Sequence, residues 1–190
     1  MNTTALIDPT PPNEDMESVE AMFKSIEKSL GLLPDGLVLY GISPPLLKSF
    51  VDSFSYFANH DQLSQQLLGL IRYLNSNSVE CPYCIDFNAG FLMGLGTTQE
   101  QLQATLEEIG NAPLNENEKA LLSFTMKSLN EPENITREDL QTVRDRGFTD
   151  RNIFDAVVAA VNNRAFTTVL KTFDVIRQGA SFPKNQTDAA

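Results

Sequence analysis

Cys81 and Cys84 are the only two cysteines in the 190-residue chain, and they stand together in Cys81-Pro82-Tyr83-Cys84. Residues three apart share a helix face, so the two thiols can meet if Cys81 occupies the first turn, where the backbone is free to adjust. Pro82 suits the first helical position because it has no N–H to lose. A helix N-terminus offers unpaired amides and the positive end of the dipole, and both favour thiolate over thiol. Reduced, such a pair can attack a peroxide oxygen, form a sulfenic acid and close to a disulfide, or it can exchange with a partner's disulfide. The plainer reading is two buried cysteines that fill space. A tetrahedral zinc site would need two further ligands, and the single histidine, His60, lies far upstream, so neither a metal nor a cofactor is expected.

The elements that must position this pair read as helices. Residues 1–13 are polar and carry Pro9, Pro11 and Pro12, which predicts an irregular arm. From Glu14 the spacing of Val19, Met22, Phe23, Ile26 and Leu30 predicts an amphipathic helix stopped by Gly31. Pro34 and Pro44-Pro45 bracket two further apolar segments. Leu63-Ser64 opens a helix with Leu67, Leu68, Ile71 and Leu74 inward, expected to run out in Asn75-Ser76-Asn77-Ser78 just before the cysteines. The cysteine helix ends at Gly94-Leu95-Gly96. Thr98 with Gln101, Asn115 with Glu118, and Thr136 with Asp139 mark capped starts of three more. Thr149 or Asp150 opens a long last helix that carries Ile153, Phe154, Val157, Val161, Phe166, Val169, Leu170, Phe173 and Ile176. No strand pattern appears, so the expected class is all-α, with one helical domain over 14–178 and a polar tail over 179–190.

Composition agrees with an ordinary folded domain, at 42% apolar and 21% charged residues. Fourteen Lys and Arg against twenty-five Asp and Glu give a net charge of -11, which repels nucleic-acid phosphates and anionic lipid surfaces. No nucleic acid and no membrane are therefore expected as partners. The first residues lack a signal-peptide pattern, so a cytoplasmic location is expected.

The stretch from Leu63-Ser64 through Cys81-Pro82-Tyr83-Cys84 to Gly94 and Gly96 resembles the core signature of the carboxymuconolactone decarboxylase / AhpD-like alkylhydroperoxidase family. The N-terminal amphipathic helix, the Gly31 to Pro34 joint and a second helical half from Leu114 to Val175 resemble its peroxidase-related branch. The resemblance implies an all-helical AhpD-like fold assembled as a trimer or hexamer. It also implies that Cys84 attacks a small hydroperoxide, that Cys81 resolves the product, and that a dithiol partner, lipoylated or thioredoxin-like, returns the electrons.

The chain departs from that pattern where the family carries its proton relay. Asn88 stands four residues after Cys84, where a histidine is expected, and Gly69 stands twelve before Cys81, where a glutamate is expected. An asparagine can position a group but cannot take a proton near neutral pH. Supporting candidates are Asn88, Glu80, Tyr83 and His60, with Asp86 weighed beside Glu80 as a substitute carboxylate. The two carboxylates read more simply as helix-start charges, Tyr83 as a packing aromatic, and His60 as a surface loop residue beside Asp61 that a trimer could bring to a neighbour's cysteines. Arg72 reads as a solvent-directed cation. Three functions compete: a cysteine-dependent peroxidase or thiol-disulfide oxidoreductase, a redox-sensing or binding oligomer with little turnover, and a carboxymuconolactone-type decarboxylase. The retained cysteine pair argues against the last.

Overall fold

The computed structural model describes residues 5–175, so the C-terminal tail expected over 179–190, Ile176 and the first four residues of the arm lie outside the described residues. Among the described residues there is no strand, and the chain is all-α. Among the described residues nine α-helices follow in order: α1 (Met16–Leu30), α2 (Asp35–Tyr40), α3 (Pro44–Ala58), α4 (Gln65–Ser78), α5 (Pro82–Gly94), α6 (Gln99–Glu107), α7 (Glu116–Asn130), α8 (Arg137–Asp145) and α9 (Asp150–Thr172).

Two compact units are distinguished. The first holds α1 to α3 with residues 168–175. Here Val19, Phe23 and Ile26 form the buried stripe of α1, and Gly31 ends it with φ of 76°, a left-handed backbone that suits a residue without Cβ. The N-terminal arm is irregular over its described residues, 5–12. It is tied within this unit by the Leu6 amide, which donates to the Phe173 carbonyl at 2.9 Å.

The second unit, residues 60–167, carries the cysteines and is built around α4. Ser64 caps α4 by accepting from the Leu67 amide at 3.0 Å. Leu67, Leu68, Leu70 and Ile71 are fully buried, each contributing roughly 1.5–3 kcal/mol by leaving water. α4 packs along α5 and against α7, which in turn packs on α8. The predicted caps are present: Thr98 and Gln101 form a capping box, as do Thr136 and Asp139, and Asn115 accepts the amides of Asn117 and Glu118.

α4 ends at Ser78, within the polar stretch where the sequence runs it out, but Asn75 and Ser76 of its last turn are wholly buried. These polar side chains stay helical because each is hydrogen-bonded. Asn75 Nδ2 donates to Asn163 Oδ1 at 2.6 Å, and Ser76 Oγ donates back to the Arg72 carbonyl at 2.7 Å. Asn163 lies on α9, far along the chain, which is why local composition reads Asn75 to Ser78 as a break.

Candidate active site

The cysteines sit where α4 hands over to α5. After Ser78 the chain turns sharply: the Glu80 amide donates to the Asn77 carbonyl at 3.0 Å and the Cys81 amide to the Ser76 carbonyl at 3.1 Å. To make this turn Glu80 adopts φ of 49°, a left-handed conformation that costs a residue with a Cβ. Cys81 follows in extended conformation as the N-cap of α5, with Pro82 in the first turn, as the sequence predicts.

Both cysteines are buried, Cys81 at 0% and Cys84 at 4% exposure. The Cys84 amide, one of the donors that a helix start leaves over, points at Cys81 Sγ at 3.4 Å. Cys84 Sγ receives a different donor: the Thr167 hydroxyl of α9, at 3.5 Å. Each sulfur thus has a hydrogen-bond donor aimed at it, which favours the thiolate, while burial of both favours the neutral thiol.

The residue four past Cys84 does not face the thiols as a relay would. Asn88 Nδ2 donates to the Cys84 carbonyl at 2.8 Å and to Ser76 Oγ at 3.2 Å, fastening α5 to α4 from inside. At the other relay position, Gly69 leaves no open space for a side chain toward α5. A Cβ there would lie 2.7 Å from Leu92 Cδ2, 3.1 Å from Leu92 Cγ and 3.3 Å from Phe91 Cδ1. Leu92 is fully buried and cannot swing aside without repacking. The two departures from the family pattern are thus one packing solution, in which relay side chains are exchanged for contact between α4 and α5.

The remaining candidates fall in three places. Glu80 and Asp86 are exposed. Tyr83 is buried and stacks with Phe87 at 6.4 Å between ring centres, the packing role expected of it. His60 corrects its reading as surface decoration, since its side chain is only 4% exposed. Its Nδ1 accepts the amides of Gln62 and Leu63 at 3.1 and 3.0 Å, which puts the proton on Nε2, 3.2 Å from Asp155 Oδ2. Cys84 touches α9 at Thr167 and His60 touches it at Asp155, twelve residues earlier, which is about 18 Å of helix rise. Within one chain His60 therefore does not serve the thiols; it caps and anchors the entry to α4. Arg72 likewise is not directed at solvent: its guanidinium lies 5.3 Å above the Phe91 ring, and burial lowers its pKa to about 10, which leaves it charged at neutral pH.

Three contributors escape a reading of the sequence: Ser76, Thr167 and Arg164. Arg164 Nε donates to Asn75 Oδ1 at 2.5 Å, and Nη2 donates to Ser78 Oγ at 3.2 Å and Asn130 Oδ1 at 3.0 Å. One guanidinium thereby clamps the end of α4 and the end of α7 beside the cysteine turn. The available signal was Asn162-Asn163-Arg164 following the apolar run Ala156 to Val161 of α9, since polar groups that pack inside need internal partners. Among the described residues no cluster of His, Cys, Asp and Glu could hold a metal ion, and no helix is long and apolar enough to cross a membrane.

No family model matches the sequence, and no curated protein does. Solved structures do match. An uncharacterized peroxidase-related protein from Silicibacter sp. TM1040 superposes with a TM-score of 0.78 at 20% identity, covering 90% of this chain and 90% of that one. A peroxidase-related protein from Ralstonia eutropha JMP134, described as an alkylhydroperoxidase AhpD core, gives 0.78 at 14% identity over 92% and 93%. The debrominase Bmp8 in complex with 2,3,4-tribromopyrrole gives 0.67 at 20% identity over 90% and 91%. At these identities the likeness concerns the fold.

Proposed function

We propose that this chain, which has the AhpD-like fold, is a cysteine-dependent oxidoreductase that reduces small organic hydroperoxides through a Cys81–Cys84 dithiol/disulfide cycle. The observation that carries the reading is the pair itself: two buried cysteines at a helix start, each with a hydrogen-bond donor on its sulfur. Burial favours a small substrate over a folded one. In the proposed cycle the Cys84 thiolate attacks the terminal oxygen of the hydroperoxide, the O–O bond breaks, and the alkoxide leaves with a proton as alcohol, giving a sulfenic acid. The Cys81 sulfur then attacks Cys84 Sγ and displaces the hydroxyl as water, which closes the disulfide. Two electrons from an external dithiol, lipoylated or thioredoxin-like, reopen it. A debrominase shares the fold, so the fold by itself does not choose the substrate.

Assembly into a trimer or hexamer belongs to the same proposal. Supporting it, Phe154 and Val161 stand seven apart on one face of α9 at 67% and 48% exposure.

A second reading, a redox sensor with little turnover, is favoured by Asn88 and Gly69, which fill the relay positions with packing and leave no general acid there for the departing alkoxide. The two readings separate on one experiment: whether a single equivalent of an organic hydroperoxide closes the Cys81–Cys84 disulfide rapidly, and whether a dithiol then supports turnover.

A further inference from the structure

We infer that Thr167 is the residue that selects Cys84 as the attacking thiolate, supplying from α9 the activating contact that the absent histidine and glutamate would otherwise provide. This deepens the peroxidase reading and rests on it for the identity of the reaction, though not for the titration of the thiol.

The buried hydroxyls of these helices do not all behave alike: Thr125 and Ser128 of α7 have no hydrogen-bond partner, whereas others donate back along their own helix. A helical Ser or Thr ordinarily donates to the carbonyl four residues back. Ser76 does so to Arg72 at 2.7 Å, Thr105 to Gln101 at 2.7 Å, Thr142 to Glu138 at 2.9 Å and Thr172 to Thr168 at 2.8 Å. Thr167, buried at 1% exposure, instead donates to Cys84 Sγ at 3.5 Å. A buried hydroxyl that forgoes its local acceptor for a sulfur is placed for that sulfur. A thiolate accepts a hydrogen bond far better than a thiol does, so the contact strengthens as the thiol ionises, and low surrounding polarity strengthens it further.

The rest of the site holds this contact in register. Arg164 lies three residues before Thr167 on the same face of α9, and its clamp on Asn75, Ser78 and Asn130 fixes that face against the end of α4. Asn88 fixes Cys84 from the other side through the Cys84 carbonyl. The division of donors is also asymmetric. Cys81 Sγ takes a backbone amide that no side-chain replacement removes, whereas Cys84 Sγ takes a hydroxyl that one substitution deletes.

The test is the pH dependence of iodoacetamide alkylation of the reduced protein, resolved by peptide mass into Cys81 and Cys84, with no peroxide present. Three proteins are compared: the parent, Thr167→Val, which keeps the shape and loses the hydroxyl, and Thr167→Ser, which keeps the hydroxyl. The expected result is that T167V raises the Cys84 titration midpoint by about one unit, lowering its alkylation near neutral pH about tenfold. Cys81 is unmoved, and T167S stays close to the parent. Thermal melting of T167S guards against misfolding as the cause, since that variant must both fold and retain the low midpoint. An unchanged Cys84 midpoint in T167V, an equal shift in T167S, or a shift confined to Cys81 would overturn the inference. Hydroperoxide consumption is measured separately on the parent. A Cys84 shift in T167V without any consumption leaves the role of Thr167 standing and removes the peroxidase reading, whereas consumption without a shift does the reverse.

Discussion

Glu80 pays for the geometry of Cys81. Its left-handed backbone, φ of 49°, turns the chain so that the Cys81 amide reaches back to Ser76 and the sulfur faces the amide of Cys84. A side chain with a Cβ is disfavoured there, and a glycine is not. Glu80→Gly is therefore expected to stabilise the protein by about 1 kcal/mol, read as a higher urea midpoint with an unchanged slope. A lower midpoint would show that the Glu80 side chain contributes more than its backbone costs. The pairing chemistry at this scale was legible beforehand, because Cys81, Pro82 and Cys84 carry their own helix-start logic. The placement of His60 and the contact of Thr167 were not. Both depend on α9 returning to residues 95 and 83 positions earlier in the chain, His60 ahead of α4 and Cys84 on α5, and no local pattern encodes which residue of a long helix arrives.

At the scale of elements, α4 and α5 decide what the site can hold. Leu92 and Phe91 of α5 crowd the place of a Cβ at Gly69, where the family pattern has a glutamate. Restoring it by Gly69→Glu would set a Cβ against buried Leu92 and carry a carboxylate into an apolar contact. Overpacking costs about 1–3 kcal/mol and desolvating the carboxylate adds to it, offset in part by Arg72, one turn on and over the same Phe91 ring, and by roughly 1 kcal/mol gained from removing a helical glycine. The expected outcome is a net loss of about 1–2 kcal/mol in chemical denaturation. A variant as stable as the parent would mean that packing did not drive the exchange.

A second element-scale prediction concerns the start of α8. Lys127, reaching from α7, and the amide and hydroxyl of Thr136 hold the Asp139 carboxyl down from 3.8 to about 2. A depressed carboxyl contributes stability that is fully present above its unfolded value and is lost as pH falls through the folded one. The melting-temperature advantage of the parent over Asp139→Asn should thus be constant above about pH 4 and shrink between 3.8 and about 2. An advantage that persists undiminished at pH 2 would show that the charge on Asp139 is not what α8 uses. Helix starts of this kind were readable from sequence because a cap and its partner lie within one turn. The burial of the last turn of α4 was not, since the Asn75 side chain is satisfied by Asn163 and Arg164 of α9, and Ser78, besides donating to the Asn75 carbonyl, accepts from Arg164.

At the scale of the whole molecule, the all-α class followed from periodicity alone, and the AhpD-like layout followed from the cysteine motif set between Leu63-Ser64 and the glycine-bounded end of α5. The departures from the family's relay were equally visible as Gly69 and Asn88. Their meaning was not, because it lies in the contact between two helices. The account they lead to is a peroxide-reactive thiol pair activated by hydrogen bonds rather than by a base. Its central claim is best tested on the reduced chain, by adding one equivalent of an organic hydroperoxide, quenching with iodoacetamide over a time course and mapping the products by mass. The account predicts rapid loss of both free thiols, formation of the Cys81–Cys84 disulfide, and a sulfenic acid trapped on Cys84 when Cys81 is replaced by serine. Thiols that remain fully alkylatable after peroxide, or a sulfenic acid that appears on Cys81 in Cys84→Ser while Cys84 stays inert in Cys81→Ser, would contradict it.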